Sequence, residues 1–400
     1  MTDTLSLSKL HLNPQSERRI RKGHLWIYSN EVDTKRSPLN SYAVGEQVIV
    51  CSSKGQELGV ATLNPHALIC GRIFSRNCNK RLGLPFFKQR IKQALQLREA
   101  YFNEPSYRLV FGDSDFLPGV IADRFGDYLV VQIASAAMEE HKDALLQAFQ
   151  NVVQPLGIIL QNDHSARALE NLPSYVETLG EVPEELTLVE NGVKFVVPAQ
   201  GGQKTGWFYD HRLNRAQLQA WVKDKTVLDV FSYVGGWGVQ AAVAGASKVT
   251  CVDVSEQALN YVERNAELNG CDDRMEAIEG KAIDVLKMLV EEGEKFDVVV
   301  LDPPAFIKRK KDQKAGEAAY RHINELAIRL LQSGGLLVSG SCSMHLGADT
   351  LQDIVRAASA HLDRDCQLVY SGGQGPDHPV HPSIAETSYL KAQFYRVLTR

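Results

Sequence analysis

The chain lacks the cysteine patterns that mark a disulfide framework or a zinc ribbon. Its seven cysteines are odd in number and scattered, and no two of them form a Cys-x-x-Cys pair. Disulfide-rich secreted domains and zinc ribbons need paired or regularly spaced cysteines. The pattern favours reduced thiols, and we therefore expect a protein of the cytoplasm.

Long apolar runs are also lacking. No stretch approaches the ~18 residues of a membrane helix, and residues 1–13 contain no apolar segment of the kind found in secretory signals. The sequence has no internal repeat and no low-complexity segment. We expect neither a membrane partner nor secretion.

The composition is that of a globular protein. Hydrophobic residues make up 44% of the 400 residues and charged residues 23%, which excludes a disordered chain. At ~100–200 residues per domain, this length indicates two or three domains. We place them at 1–75, 76–195 and 196–400.

The first of these segments has the pattern of a small β-barrel. Short apolar runs at 47–51, 58–63 and 68–74 are separated by Gly, Pro, Ser and Asn, and a charged helix is predicted at 13–23. The first 80 residues carry eleven Lys or Arg against six Asp or Glu, a net charge of +5, whereas the rest of the chain has −9. A basic end on an acidic protein can bind nucleic acid, but ordinary surfaces also show an excess of this size.

The middle segment predicts an α+β domain. An amphipathic helix is expected from 85 to about 104, strands at 108–111 and 128–133, and a second helix at 137–152.

The last segment alternates strands and helices, which predicts an α/β fold with a parallel sheet covered by helices on both faces. Its strongest strands are continuous apolar runs. The predicted strands are 226–230, 248–252, 296–301 and 336–340, and the predicted helices are 236–244, 255–269 and 316–331.

A glycine-rich turn after the strand at 226–230 predicts a cofactor pocket, because ligands of open α/β sheets bind at the carboxyl ends of the strands. The turn contains Gly235, Gly236 and Gly238, and Asp253 ends the next strand. An acidic side chain there can accept hydrogen bonds from both ribose hydroxyls of an adenosine. The spacing departs from Gly-x-Gly-x-x-Gly, which disfavours a pyrophosphate cradle. Asp284 could bind an adenine amino group or, equally, cap the following helix.

Asp302 is the first catalytic candidate. It follows the strand at 296–301 and precedes two prolines, which restrict the backbone and hold its carboxylate at the strand tip. A rigid acceptor suits recognition of a nucleobase edge, and the ring of Phe306 offers a stacking surface. The basic run that follows contains Lys308, Arg309 and Lys310, and it could hold phosphates or simply form a solvated face.

Cys342 is the second candidate. It follows the strand at 336–340, whose tip should lie near Asp302 in the same sheet. A thiolate can add to C6 of a pyrimidine ring, which makes C5 nucleophilic enough to take a methyl group from a sulfonium. The alternative is a small buried side chain, as for most cysteines.

Together these residues resemble the class I S-adenosylmethionine (AdoMet) methyltransferases, and more narrowly the PUA-domain-containing 5-methylcytosine methyltransferases of bacterial large-subunit ribosomal RNA. The resemblance covers essentially the full length. It rests on 18–27 with 64–65, 115–124, 204–215, 302–306, 341–343 and 377–379.

The resemblance implies a PUA module for RNA binding, a central domain and a Rossmann-like catalytic domain. It also implies that Cys342 is the nucleophile, that Asp302 binds the target base, and that 204–215 closes over the methionine end of AdoMet. The expected cofactor residues are Asp229, Phe231, Gly235, Gly236, Gly238, Asp253, Asp284, Lys204, Asp210 and Arg215. The expected RNA-binding residues are Arg18, Arg19, Arg21, Lys22, Phe306, Lys308, Arg309 and Lys310.

Two positions depart from the family pattern. Position 207 is Trp where Phe is expected, and position 211 is His where Gln is expected. An Asp-His-Pro-Val-His-Pro stretch at 377–382 is too weak a pattern for a metal site, and we expect no metal.

Three other functions compete with this interpretation. Methyltransferases that act on exocyclic amines or ring nitrogens of RNA also use Asp-Pro-Pro followed by an aromatic, but they need no cysteine. A non-catalytic ribosome-assembly factor would not need the residues at the strand ends, and a dinucleotide-dependent oxidoreductase would need a different glycine spacing. The pattern leaves open the modified nucleotide, the form of the RNA substrate and the oligomeric state.

Overall fold

A computed structural model describes residues 7–202 and 205–400. The strands are β1 (Lys9–His11), β2 (Trp26–Tyr28), β3 (Gln47–Cys51), β4 (Glu57–Leu63), β5 (Ile69–Ser75), β6 (Ser106–Phe111), β7 (Val120–Phe125), β8 (Tyr128–Ile133), β9 (Gly157–Asn162), β10 (Tyr175–Gly180), β11 (Glu185–Glu190), β12 (Val193–Pro198), β13 (Thr226–Val230), β14 (Lys248–Asp253), β15 (Met275–Glu279), β16 (Phe296–Leu301), β17 (Leu331–Ser341), β18 (Arg364–Gly372) and β19 (Lys391–Thr399). The helices are α1 (Glu17–Arg21), α2 (Leu84–Glu99), α3 (Ala136–Glu140), α4 (Lys142–Val153), α5 (Arg212–Gln219), α6 (Gly238–Val243), α7 (Glu256–Leu268), α8 (Ala282–Glu291), α9 (Gln313–Leu330) and α10 (Ala348–His361).

The chain divides into two compact units that are not contiguous in sequence. Of the described residues, the first unit contains those within 1–186, 199–207 and 376–387. The second contains residues 187–198, 208–375 and 388–400. The division into three domains stays a prediction.

The first unit has two five-stranded sheets. One has the order β1-β3-β4-β5-β2, with β1 parallel to β3 and the other pairs antiparallel. Its strands alternate in exposure, so that Val48 and Val50 enter a core with Ile27 and Ile73. The other sheet has the order β10-β9-β8-β7-β6, and helices α2 and α4 bury their apolar faces in its core.

A segment distant in sequence completes the first unit. The fully buried guanidinium of Arg98 donates to both carboxylate oxygens of Asp115 at 2.7 Å and to the carbonyl of Asp377 at 2.8 Å. The carboxylate of Asp377 accepts from the backbone amide of Arg108 and contacts the ring of His378. Since a buried charge is stable only when it is paired and hydrogen-bonded, residues 376–387 have a structural role here.

The second unit is built on a seven-stranded sheet with the order β15-β14-β13-β16-β17-β19-β18. Neighbours from β15 to β17 are parallel, whereas β19 is antiparallel to both β17 and β18. The prediction of a parallel sheet is confirmed for the four strands on which it rested, β13, β14, β16 and β17. The antiparallel strand β19 adds to this prediction, because the sequence analysis identified neither β18 nor β19.

Helices pack on the sheet through alternate residues of its strands. Leu228, Val230, Val299 and Leu301 share a core cluster with α8, α9 and α10. The intervening residues of β13 and β16 are also buried, which shows that both faces of these strands are covered.

Most predicted elements of the second unit are confirmed. Strands β13 and β16 have the predicted bounds, and the helix predicted at 255–269 is α7. In the first unit the helix predicted at 13–23 has only the five residues of α1, and the helix predicted at 137–152 is divided into α3 and α4. Within the described residues, no helix is long and apolar enough to cross a membrane.

Candidate active site

The turn after β13 has an unusual backbone. Phe231 and Tyr233 have positive φ angles of 66° and 49°, and Gly235 has a φ of 85°. The amides of Phe231 and Ser232 both donate to the carbonyl of Val252, at 2.9 and 3.1 Å. These bonds fix the turn against the end of β14 and stabilise conformations that are costly for residues other than glycine.

Gly238 is required by packing inside the protein. A β-carbon built on it would lie 2.6 Å from the sulfur of Cys251 and 3.1 Å from Oδ2 of Asp229. Its amide donates to that same oxygen at 2.8 Å. The predicted reason for this glycine was close approach to a ligand, and the structure adds close approach to the neighbouring strand.

Asp229 is fully buried in β13 and has one oxygen without a partner. Oδ2 accepts from Gly238, whereas Oδ1 has no hydrogen bond among the described residues. Burial is the main cause that raises the pKa of Asp229 to about 7. The hydrogen bond from Gly238 lowers this pKa, and the charges of Asp302 and Asp253 contribute to raising it. The three carboxylates are thus close enough to interact, and Oδ1 offers an acceptor to a cationic or neutral donor.

Asp253 ends β14, as predicted. Its Oδ2 accepts from the amide of Tyr233 at 2.9 Å, and its Oδ1 accepts from the amide of Ser255 at 3.0 Å. A carboxylate has about four acceptor positions, so each oxygen keeps one for a ligand hydroxyl. The two amide bonds also orient the carboxylate, which is partly exposed.

Asp284 is exposed in the first turn of α8. The helix N-cap is Lys281 rather than Asp284, so the alternative role as a cap was wrong. The side chain is therefore available at a strand-to-helix connection on the same edge of the sheet.

The segment expected to close over the cofactor is partly described. Lys204 lies outside the described residues. Asp210 is buried and accepts from the hydroxyl of Tyr389 at 2.6 Å. Arg215 is also buried, forms an ion pair with Glu190 at 2.8 Å and donates to the carbonyl of Phe208. The guanidinium thus holds its own segment in place, which favours a supporting role.

Asp302 lies at the end of β16 and is held by two ring nitrogens. Nε1 of Trp237 donates to its Oδ2 at 3.1 Å, and Nε2 of His211 lies 3.1 Å from its Oδ1. Burial raises the pKa of Asp302, but the close approach of His211 and the hydrogen bond from Trp237 lower it more, so it lies below its ordinary value. The carboxylate, 23% exposed, is therefore an ionised and oriented acceptor.

The contacts of His211 and Trp237 were missed by the sequence analysis. His211 was identified there only as a departure from the family pattern, and Trp237 only as a neighbour of the glycines. The amide of Asn214 lies 3.2 Å from Nδ1 of His211 and also donates to the carbonyl of Gly373, which fixes the ring. His211 is a polar residue at a buried position. A buried polar side chain needs a hydrogen-bonding partner, and this is the signal that could have identified its contact with Asp302.

Cys342 follows β17, next to the end of β16, as predicted. Gly340 of β17 lies beside Asp302: a β-carbon on it would be 3.4 Å from Oδ1 of that residue. Cys342 is partly exposed. The hydroxyl of Tyr320 is 2.9 Å from Oγ of Ser341, and burial raises the pKa of Tyr320, with the charges of Cys342 and Asp302 raising it further. The thiol and the carboxylate thus lie close to the same phenol.

The remaining predicted nucleic-acid residues differ in exposure. Phe306 is half-buried, with its ring centroid 4.8 Å from that of Tyr320. Lys308, Arg309 and Lys310 are exposed, and Arg309 pairs with Asp312 at 2.9 Å.

In the first unit, Arg18, Arg21 and Lys22 are exposed, whereas Arg19 is half-buried. Arg19 pairs with Glu31 at 2.6 Å and donates to the carbonyl of Trp26. Its contacts indicate a role in holding the module together. No cluster of three or more potential metal ligands occurs in residues 7–202 and 205–400.

Comparison with known proteins agrees with this geometry. The family model described as S-adenosylmethionine-dependent methyltransferase matches residues 117–396, and a PUA-like domain model matches 10–76. A protein of Klebsiella pneumoniae (strain 342) named ribosomal RNA large subunit methyltransferase I is 36% identical over the full length of both chains. A protein of the same name from Cronobacter sakazakii is also 36% identical, over 96% of this chain and 98% of the relative.

Solved structures share the fold. A proposed methyltransferase crystallised with SAH has a TM-score of 0.83 and 22% identity, covering 98% of this chain and all of that one. A proposed SAM-dependent methyltransferase from Streptococcus mutans has a TM-score of 0.81 with the same identity and coverage.

The fold is that of the class I methyltransferases, an α/β sheet of Rossmann type with an antiparallel strand near one edge. The chain belongs to the S-adenosylmethionine-dependent methyltransferase family and carries a PUA-like domain at residues 10–76. Its cofactor is S-adenosylmethionine, as predicted, and the alternative of a dinucleotide-dependent oxidoreductase was wrong.

Proposed function

We propose that the protein methylates C5 of a cytosine in large-subunit ribosomal RNA. The substrate class is supported by the relatives named ribosomal RNA large subunit methyltransferase I, which match 100% and 96% of the chain. The position on the base is supported by one observation: the partly exposed thiol of Cys342 follows the strand next to Asp302. The expected location of the protein is the cytoplasm.

The residues at the ends of β13 and β14 fit the cofactor. Oδ1 of Asp229 would accept from the ammonium group of the methionine moiety, which satisfies a buried oxygen that otherwise has no partner. Asp253 would accept from the ribose hydroxyls with its remaining acceptor positions, and Asp284 would bind the adenine amino group. The turn with Phe231, Gly235 and Gly236 would cover the adenosine.

The buried ion pair of Arg215 with Glu190 would keep the segment from 208 to 215 in place beside the cofactor. Within this segment Asp210, which accepts from the Tyr389 hydroxyl, would face the methionine end. Lys204 remains a predicted contact of the same end.

The chemistry divides between the thiol and the carboxylate. The thiolate of Cys342 adds to C6 of the cytosine, which pushes electron density onto C5. AdoMet supplies a methyl group to C5 from its sulfonium. The C5 proton then leaves to a base, the C5–C6 double bond re-forms, and the C6–S bond breaks to return the thiolate. Asp302, ionised and held by Trp237 and His211, accepts from the exocyclic amino group of the base and fixes the ring between donor and nucleophile.

RNA binding would use exposed cations of both units. Arg18, Arg21 and Lys22 of the PUA-like domain and the basic run from 308 to 314 would contact phosphates. Arg18→Gln combined with Lys22→Gln should weaken RNA binding and reduce its salt dependence without changing AdoMet affinity. Arg19→Gln should instead lower thermal stability, because it removes the ion pair with Glu31.

The test of the C5 position is covalent trapping. In RNA with 5-fluorocytosine the proton at C5 is replaced by fluorine, which cannot leave as a cation, so the adduct with Cys342 persists. We expect an AdoMet-dependent protein–RNA complex that survives denaturing electrophoresis. Cys342→Ala should form none and still bind AdoMet, whereas Cys366→Ala, at another partly exposed cysteine, should trap as well as the wild type.

The alternative, methylation of an exocyclic amine or a ring nitrogen, needs no bond between protein and RNA. Full activity of Cys342→Ala, or trapping through a different cysteine, would contradict the C5 assignment.

A further inference from the structure

A buried lysine lies beside the proposed nucleophile. Lys391 begins β19 and is paired directly with Ser341 of β17, the residue before Cys342. Its Nζ donates to the carbonyl of Ser343 at 2.5 Å and to that of Tyr389 at 2.8 Å. An ammonium has three N–H donors, so these two bonds leave one for a further acceptor.

The position is electrostatically costly for a lysine. Burial lowers the pKa of Lys391 to about 8, and the charge of Cys342 is what raises it in opposition. At neutral pH the amine is therefore still mostly protonated. Two carbonyl oxygens orient the ammonium, but neither carries the full negative charge that would offset burial of a cation.

The interaction between the thiol and the ammonium is reciprocal. If ionised Cys342 favours protonation of Lys391, then protonated Lys391 favours ionisation of Cys342 by the same free energy.

Of the titratable groups near Cys342, the carboxylate of Asp302 acts in the opposite direction. Asp302, at the end of β16, is ionised, and its negative charge disfavours a second anion close by. Tyr320 of α9 is a neutral phenol whose pKa the charges of Cys342 and Asp302 raise. A thiolate at this place needs a positive charge to offset the carboxylate, and Lys391 provides one.

We propose that Lys391 is a positioning residue that stabilises the thiolate of Cys342 and so prepares it for attack on the substrate base. The thiol proton leaves to solvent, and the ammonium, held by the two carbonyls, remains beside the sulfur. The inference rests on the proposed function, in which Cys342 is the nucleophile.

The test is the pH dependence of thiol alkylation in the full-length protein without RNA. Iodoacetamide reacts with the thiolate, and mass spectrometry of peptides separates Cys342 from Cys366, a partly exposed thiol of the same protein that serves as an internal reference. In the wild type, Cys342 should reach half-maximal rate at a lower pH than Cys366. In Lys391→Met the midpoint for Cys342 should rise by about one unit, which makes alkylation about tenfold slower at pH 7. The profile of Cys366 should not change.

Lys391→Arg keeps the positive charge and should retain most of the wild-type profile. AdoMet affinity, measured on each preparation, checks that the second unit is folded. Identical Cys342 profiles in the wild type and Lys391→Met would overturn the inference, as would equal upward shifts in Lys391→Met and Lys391→Arg. If neither variant folds, the wild type still decides: a Cys342 midpoint at or above that of Cys366 contradicts a stabilised thiolate.

The two proposals fail differently. A shifted alkylation profile in Lys391→Met together with no trapping on 5-fluorocytosine RNA would contradict C5 methylation alone. Trapping with an unchanged alkylation profile would contradict the role of Lys391 alone.

Discussion

Gly238→Ala tests how tightly β13, β14 and the start of α6 are packed. The added β-carbon would lie 2.6 Å from Sγ of Cys251 and 3.2 Å from a methyl group of Val249, where non-bonded heavy atoms prefer about 3.5–4.0 Å. Both neighbours are fully buried, so neither can move into solvent. Overpacking of this kind costs about 1–3 kcal/mol, and the helix propensity of alanine returns up to about 1 kcal/mol. We expect a net loss of about 1–2 kcal/mol, or a few degrees in melting temperature.

Urea unfolding of the wild type and the variant measures this loss. Cys251→Ala removes the clashing sulfur. The double variant should therefore lose about 1–2 kcal/mol less unfolding free energy than the sum of the losses in the two single variants. Gly373→Ala is the matched control, because its β-carbon would be 3.5 Å from the nearest atom, an ordinary contact. A Gly238→Ala protein as stable as the wild type, or strict additivity in the double variant, would refute the packing argument.

Three further predictions concern the carboxylates. Asp253→Asn, which keeps one carbonyl oxygen as acceptor, should weaken AdoMet binding less than Asp253→Ala, whose loss should be about 1–3 kcal/mol by titration calorimetry; equal affinity of Asp253→Ala and wild type would remove Asp253 from the site. Because burial raises the pKa of Asp229 to about 7 and its ionised form would bind the cofactor ammonium, AdoMet affinity should increase from about pH 5.5 to 7.5 and become flat in Asp229→Asn; a flat wild-type profile would contradict this. Because the pKa of Asp302 is lower in the folded protein than the unfolded value of about 3.9, its ionised form stabilises the fold fully above that value. This contribution is lost as the pH falls through the folded value, so the stability advantage of the wild type over Asp302→Asn in urea unfolding should shrink below about pH 4. An advantage that stays constant below about pH 4 would show that Asp302 is not ionised in the folded protein.

The central strands were predictable because each is marked by the hydrophobicity of its own residues. The runs that form β13 and β16 are continuous, apolar and bounded by polar residues, which is what burial on both faces requires. Strand β18 was missed because all of its residues are exposed or half-buried, as is typical of a strand at the edge of a sheet. The length of helix α1 was overestimated because the charged residues that suggested a helix extend beyond the helix itself. Ile20 is the one residue of α1 that is buried in the core.

The site residues that lie at the ends of predicted strands could be identified from the sequence. Those whose position depends on contacts between segments far apart in the sequence could not. Asp253, Asp302 and Cys342 end or follow strands, so their proximity follows from a parallel sheet. Lys391 reaches the same area from a part of the sequence in which no motif was recognised. His211 lies within the recognised segment 204–215, but its contact with Asp302 has no local signal. Lys391 is opposite Ser341 only because β19 inserts beside β17, and no local pattern indicates that insertion.

The interleaved course of the chain through its two units bears on how the protein is made. During synthesis on the ribosome, Arg98 emerges long before residues 376–387, whose Asp377 carbonyl completes its buried hydrogen bonds. Strand β19, central to the second unit's antiparallel edge, emerges later still. The first unit therefore cannot reach its final hydrogen bonding before residues 376–387 are synthesised, nor the second unit before β19 is synthesised. Limited proteolysis of ribosome-bound chains stopped at 375 should find both units still open to cleavage.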